Sequence, residues 1–251
     1  MECWVEHRTG PVRDPGALSP EDLAALIDHT ILKPEAGAED VRRLCEEALS
    51  RRFAAVCVNP GRLRLAAGIV RGSGVAACAV VGFPLGASHA GVKAFEASRA
   101  VEDGADELDM VIDVGALRDG DDGRVRAGVR AVVEAAGGRL VKVILETCLL
   151  DDTLIEKACR LAREGGARFV KTSTGFAAAG ATEAHVRLMR RTVGETMGVK
   201  ASGGIRDHAA ALKMIAAGAN RIGASASVAI VEGYRKSLEG GRGREPRENG
   251  S

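Results

Sequence analysis

Three lysines interrupt apolar sequence at a fixed interval: Lys142 in VKVILE, Lys171 in FVKTST and Lys200 in VKASGG, each 29 residues from the next. Two aspartates do the same, Asp109 in LDMVID and Asp28 in LIDHT. A single lysine in such a run is most simply an edge or snorkelling residue. Three in successive runs, with two carboxylates to balance them, read as the charged lining of a shared interior. That lining has a chemical use. A free lysine titrates near pH 10.4, so at neutral pH fewer than about one in a thousand is the nucleophilic amine. Desolvation and a neighbouring cation both favour the neutral form. On adjacent strands, ~4.8 Å apart, one lysine supplies that cation for another. The amine then attacks an aldehyde and forms an iminium, the electron sink for C–C cleavage, while a carboxylate holds water and moves protons. Such chemistry needs no metal and no cofactor.

The elements that must position these residues are legible as alternating patterns. Short apolar runs occupy residues 26–32, 54–58, 75–81, 108–114, 140–146, 169–173, 199–201 and 221–224. Matching points (Asp28, Cys57, Val80, Asp109, Lys142, Lys171, Lys200, Gly223) are 29, 23, 29, 33, 29, 29 and 23 residues apart. A strand, a turn and a three-turn helix take up about that length. Between the runs lie helical stripes such as Val41, Leu44, Cys45, Ala48 and Leu49. Another carries Leu154, Ile155, Ala158, Leu161 and Ala162 behind a cap at Asp151 or Asp152, and a third follows Asp207. Eight βα units predict an α/β chain closed as a single-domain (β/α)8 TIM barrel over residues 19–238. Residues 1–18 and 239–251 are rich in Gly, Pro and Arg without an apolar period, and are expected to be mobile tails.

Glycines follow the last three strands: Thr174-Gly175, Ser202-Gly203-Gly204 and Gly223-Ala224-Ser225. Tight βα turns use glycine anyway, but three such loops at the carboxyl ends of late strands match the usual barrel phosphate site. A helix starting near Ser225 would aim its positive end there. A phosphate ester is therefore the expected substrate.

Bulk properties exclude other classes. A net charge of +1 leaves no electrostatic footprint for nucleic acid or an anionic membrane. No apolar stretch approaches the ~18 residues of a membrane span, and the first residues lack the apolar core of a secretory signal. A cytoplasmic protein is expected. Its six cysteines show no CxxC pair and no ligand spacing with His7, His29, His89, His185 and His208. They read as reduced thiols, with no metal site.

Taken together, LIDHTILKP (26–34), AAVCV (54–58) before Asn59-Pro60, VGFPLG (81–86), ELDMVIDVG (107–115), VKVILET (141–147), FVKTSTGF (169–176), VKASGGIR (199–206) and RIGAS (221–225) resemble the deoxyribose-phosphate aldolase family. They match in order over roughly residues 20–235, and FVKTSTG is highly specific to that family. The resemblance implies a class I, metal-independent aldehyde-lyase that reversibly cleaves 2-deoxy-D-ribose 5-phosphate to D-glyceraldehyde 3-phosphate and acetaldehyde. It assigns Lys171 as the Schiff-base lysine, Lys200 as its perturbing and proton-transfer partner, and Asp109 as the acid/base working through water. Asp28 and Lys142 fall at supporting positions, and Gly175, Gly203, Gly204, Gly223 and Ser225 would hold the phosphate. Two positions depart from the pattern. Asp113 stands where similar sequences carry Asn, and at period two from Asp109 it is expected to place a second carboxylate at the rim. Ser225-Ala226-Ser227 replaces an adjacent serine pair, so one phosphate contact is lost or comes from Ser227.

Two rival functions share parts of this pattern: a Schiff-base barrel aldolase for a longer sugar phosphate, and a phosphate-sensing barrel without catalysis. The second has no use for costly buried charges. Assembly as a homodimer or higher homo-oligomer stays open. Cys57 reads either as a small buried hydrophobe or as a source of aldehyde sensitivity. His29, of opposite parity to Asp28, is expected to be structural.

Overall fold

A computed structural model describes residues 10–12 and 14–242, the last two by backbone alone. Its eight strands are β1 (Ile27–Ile31), β2 (Ala55–Val58), β3 (Ala76–Val81), β4 (Glu107–Val111), β5 (Leu140–Ile144), β6 (Phe169–Lys171), β7 (Gly198–Ser202) and β8 (Arg221–Ala224). Each pairs in parallel with the next, and β8 returns to β1, closing the barrel. Helices α1 (Pro20–Ala24), α2 (Ala38–Arg51), α3 (Pro60–Val70), α4 (Ala90–Glu102), α5 (Val114–Arg118), α6 (Asp122–Ala135), α7 (Asp152–Glu164), α8 (Glu183–Val193), α9 (His208–Ala216) and α10 (Ser227–Arg242) surround it. None among the described residues is long and apolar enough to cross a membrane.

Strand parity decides what each side chain meets. Val56, Val58, Ala77, Ala79, Leu108, Met110, Val143, Val170, Val199 and Ile222 face outward into one core shared with the helices. That core includes the α2 stripe of Val41, Leu44, Cys45 and Ala48, with Leu49 at its margin. Asp151 caps α7 by accepting from the Leu154 N–H at 2.8 Å, and Asp207 caps α9 through Ala210 at 2.8 Å. The opposite parity carries Asp28, Cys57, Cys78, Asp109, Lys142, Lys171 and Lys200 into the barrel interior, and all seven are buried.

Three expectations about boundaries change. Strand β4 ends at Val111, so Asp113 is not on it. Its carboxylate caps α5 at the Ala116 N–H, 3.1 Å, and pairs with Arg124 at 2.9 Å. A period-two extrapolation from Asp109 fails once the strand has turned into a helix. At the C-terminus, α10 runs to Arg242, so residues 239–242 are helical. A nucleated helix adds a backbone hydrogen bond per residue and needs no apolar stripe to continue a turn. At the N-terminus, Pro15–Ala17 form a 3-10 turn, Leu18 packs on the core, and its carbonyl accepts from the Tyr234 hydroxyl at 2.8 Å. The remainder of both expected tails, 1–9 and 243–251, lies outside the described residues.

Candidate active site

Asp109 is the hub of the interior. Its Oδ2 accepts from Lys171 Nζ and from Lys200 Nζ, both at 2.7 Å, and its Oδ1 accepts from Lys142 Nζ at 2.8 Å. Lys200 also pairs with Asp28, whose other oxygen accepts from Arg221 Nη1 at 2.6 Å. Glu107 closes the circuit, 2.5 Å from Lys142 Nζ and 2.9 Å from Arg221 Nη2. The five charged residues expected at the site (Asp28, Asp109, Lys142, Lys171, Lys200) therefore share one network.

Glu107 and Arg221 belong to that network but were not singled out in the sequence. A parity signal was present: each sits two residues before a residue that was, Asp109 and Gly223, on the same strand face. Their place at strand starts, beside loop residues, hid them.

Isolated, such charges would be intolerable in a dry interior; closed into a network they are held ionised. Burial alone pushes the Asp109 carboxyl up, but Lys142, Lys171 and Lys200 outweigh it and hold it well below the usual carboxylate range. Asp28 behaves likewise, with Arg221, Lys200 and Lys142 overcoming burial. For Lys200, burial pushes down and the carboxylates of Asp109 and Asp28 push further up, so it stays a cation. Lys142 is fixed above its ordinary range in the same way, chiefly by Asp109.

Register separates the three lysines. Lys171 pairs with Lys200 across β6 and β7, whereas Lys142 pairs with Phe169, one layer deeper. The Lys171 side chain retains 3% exposure, while Lys142 and Lys200 have none. Lys171 is thus the amine a solute can meet. The network sets four basic groups (Lys142, Lys171, Lys200, Arg221) against three carboxylates (Asp28, Glu107, Asp109).

Loops after β5, β6 and β7 are stitched together above this network. The Glu146 carboxylate accepts from the Thr174 N–H and hydroxyl. Ser202 N–H donates to Thr172 Oγ1 at 3.0 Å, and Ser202 Oγ donates to the Ser173 carbonyl at 2.6 Å. Gly203, at φ +85°, lies so close to the β6 loop that a Cβ would stand 3.0 Å from Gly180 Cα. The described neighbourhood brings Gly175, Gly203 and the buried Ser173 together, and Ser173 Oγ has no hydrogen-bond partner. Gly204 is exposed beside them. Gly223 differs from the loop glycines. It lies inside β8, and a Cβ there would be 2.9 Å from Lys200 Cε, so its glycine makes room for that side chain. Ser225 is exposed between β8 and α10. Ser227 cannot stand in for a missing serine contact, because its buried hydroxyl donates to the Ala224 carbonyl at 2.9 Å.

The rest of the interior is apolar. Leu32, Ala55, Cys57, Ala76, Cys78 and Val80 form a separate cluster, roofed by Phe83, whose ring meets Phe176 edge-on at 5.3 Å. Cys57, Cys78 and Asp109 bring three potential metal-ligand atoms within 4.8 Å of one another. Three ammonium groups already occupy the Asp109 oxygens and would repel a dication, so the donor set does not suit a metal. His29 faces away, as parity predicts. Its Nε2 meets Glu47 at 2.8 Å and its ring packs on Phe53, while burial lowers its pKa.

The chain is similar to known proteins in sequence and in fold. Residues 23–234 match the family model described as DeoC/LacD family aldolase. The chain is 57% identical over 212 residues to a deoxyribose-phosphate aldolase of Clostridium tetani, covering 84% of this chain and 98% of that one. It is 56% identical over 220 residues to the Thermococcus gammatolerans enzyme of the same name, covering 86% and 98%. A tetrameric deoxyribose phosphate aldolase structure from Aeropyrum pernix superposes with a TM-score of 0.82 at 40% identity, over 88% of this chain and 93% of that one.

Proposed function

The chain belongs to the DeoC/LacD family of aldolases, and from that premise we propose that it cleaves 2-deoxy-D-ribose 5-phosphate reversibly to D-glyceraldehyde 3-phosphate and acetaldehyde through a Schiff base on Lys171. The observation that carries the reading is Asp109 Oδ2 held between Lys171 and its register partner Lys200, at 2.7 Å from each, with Lys171 the one of the three barrel lysines that keeps any exposure.

In the cleavage direction the Lys171 amine adds to the C1 aldehyde, and loss of water leaves the iminium. The C3 hydroxyl gives up its proton, the C2–C3 bond breaks, and its electrons pass into the iminium as an enamine. Glyceraldehyde 3-phosphate leaves. Protonation at C2 and hydrolysis of the iminium then release acetaldehyde. When Lys171 becomes an iminium, Asp109 Oδ2 loses one ammonium donor and can orient a water or the C3 hydroxyl instead. Asp109, held ionised, positions that water and takes the C3 proton through it as the acid/base; Lys200, hydrogen-bonded to the same oxygen, is its partner in proton transfer. Asp28, Lys142, Glu107 and Arg221 keep both in place.

For the phosphate, the proposed holders are Gly175, Gly203, Gly204, Gly223 and Ser225, near the start of α10. The orphaned Ser173 hydroxyl beside Gly203 joins them. The site needs no metal or cofactor. A cytoplasmic, homo-oligomeric protein fits the free thiols of Cys45, Cys57, Cys78, Cys148 and Cys159, the exposed Val92 and Phe95 on α4, and the tetrameric relative.

The test is borohydride reduction in the presence of acetaldehyde, followed by peptide mapping. The two-carbon adduct is expected on Lys171. An adduct on Lys142 or Lys200, or none with acetaldehyde but one with a longer carbonyl donor, would overturn the assignment.

A further inference from the structure

The catalytic reading leaves unused the pair of thiols buried beside it. Cys57 on β2 and Cys78 on β3 are register partners in parallel strands, with side chains on the same lumenal face. Parallel neighbours put Cα atoms roughly 4.8 Å apart, inside the span of about 4.4–6.8 Å that a disulfide bridges. The two sulfurs lie within 4.8 Å of each other. Both residues are fully buried from the outside of the molecule. They are, however, close to the reacting amine: Cys78 Sγ is 3.3 Å from Asp109 Oδ1, and Asp109 Oδ2 is 2.7 Å from Lys171 Nζ. A mouth that admits a two-carbon aldehyde to Lys171 admits a molecule the size of hydrogen peroxide.

We propose that Cys57 and Cys78 form a peroxide-oxidised disulfide inside the barrel, and that this bond reversibly shuts the site. In the first step the Cys57 sulfur attacks one oxygen of hydrogen peroxide. An S–O bond forms, the O–O bond breaks, and the thiol proton leaves with the other oxygen as water. Cys57 is then a sulfenic acid, oxidised by two electrons. In the second step the Cys78 sulfur attacks the Cys57 sulfur, the S–S bond forms, and the S–O bond breaks. The hydroxyl departs as water with the Cys78 proton. Two thiols and one peroxide become one disulfide and two waters.

Local chemistry assigns the order of attack. The single Cys78 proton is shared among Asp109, the Ala79 carbonyl and the Cys57 sulfur. Hydrogen bonding from Cys78 lowers the Cys57 pKa, whereas burial pushes Cys78 well up. Cys57 is therefore the sulfur that meets the oxidant and Cys78 the one that resolves it. At two other cysteines burial dominates, raising Cys45 to about 11 and Cys159 to about 12. Once the disulfide forms, Cys78 has no S–H to offer Asp109, and the hub of the charged network loses a donor.

Loss of activity rests on the aldolase reading; formation of the bond does not. The experiment treats the whole native protein with hydrogen peroxide, then measures cleavage activity and maps thiols by mass spectrometry, before and after a phosphine reductant. The expected result is a peptide linking Cys57 to Cys78, lighter by two hydrogens, that rises as activity falls by more than about tenfold. Both changes should reverse with reductant. In Cys78→Ala, Cys57 should gain oxygen without forming the cross-link, and reductant should not restore it once over-oxidised. Peroxide inactivation with no Cys57–Cys78 peptide overturns the proposal, as does a cross-link that leaves activity intact. Protein that forms the cross-link with peroxide but does not cleave the sugar phosphate even before treatment overturns the aldolase reading and leaves the modification standing.

Discussion

The two sides of the barrel interior are lined by the same kind of short parallel strand yet are built from opposite materials. On β2 and β3 the lumenal positions are Ala55, Cys57, Ala76, Cys78 and Val80, closed above by Leu32 and Phe83. From β4 round to β1 they include Glu107, Asp109, Lys142, Lys171, Lys200, Arg221 and Asp28, every one buried, among Val111, Leu140, Ile144 and Phe169 of the same parity. Each side depends on the other. An apolar wall lowers the local dielectric, which strengthens every pairing across it. The ionic side survives there only because almost every charge has a partner of opposite sign. The Lys171 amine thus has ionised partners on one face and an apolar wall on the other.

The contrast breaks most completely at Lys171. Lys171→Ala or Lys171→Arg should lower kcat by on the order of 10^4-fold or more, because neither Lys142 nor Lys200 keeps any exposure. Steady-state cleavage and borohydride trapping measure this, and appreciable turnover in the alanine variant refutes the nucleophile.

One step down are its partners. Lys200→Leu should slow imine formation at neutral pH by about 10^2- to 10^3-fold and recover in part as pH rises, since the lost cation favours a neutral neighbour. Asp109→Asn should slow the reaction at every pH, because it removes the positioning hub. Matching pH profiles for the two variants would refute the division of roles.

The third comparison is one of stability. Arg221→Met leaves Asp28 Oδ1 and Glu107 Oε1 without their cation and should cost roughly 3–5 kcal/mol, whereas Val80→Ala on the apolar wall should cost about 1–3 kcal/mol. Denaturant unfolding separates them, and equal losses would mean that the ionic side is no more interdependent than the apolar one.

In the native protein, Asp28 and Asp109 are held below the ordinary value of 3.8, so their contribution is complete above that pH and lost as pH falls through the folded value. Lys142 and Lys200 are raised above 10.5, so theirs is complete below that pH and lost as pH rises through the folded value. These four groups should therefore contribute evenly from about pH 4 to pH 10. In Lys171→Ala, unfolding followed against pH should show no step near neutrality, and a step there would contradict it.

The smallest effect belongs to the roof. Phe83→Ala opens space over the Leu32–Val80 wall and should improve the use of propanal relative to acetaldehyde by about tenfold, since one methylene in a pocket discriminates weakly. A ratio of kcat/KM values that does not move would place the donor carbon elsewhere.

Much of this site was readable before any coordinates. A charge in the middle of a buried strand contradicts its surroundings, and a fixed interval of 29 residues carries that contradiction from strand to strand. The lysines and aspartates were legible for that reason. Glu107 and Arg221 were not, because a charge at a strand's first residue looks like loop sequence. Asp113 was misplaced because periodicity holds only while the strand continues.

The local pattern of apolar runs, caps and breakers determined eight βα units and which side chains share a strand face, since both depend on neighbours within a few residues. Only closure of the barrel decided which of those faces meet. Register placed Lys171 beside Lys200 and set Lys142 one layer deeper, and it put Cys57 against Cys78. These pairings join residues tens of positions apart. No local pattern encodes such distances, because they are set by how eight strands tilt and shear to share one interior.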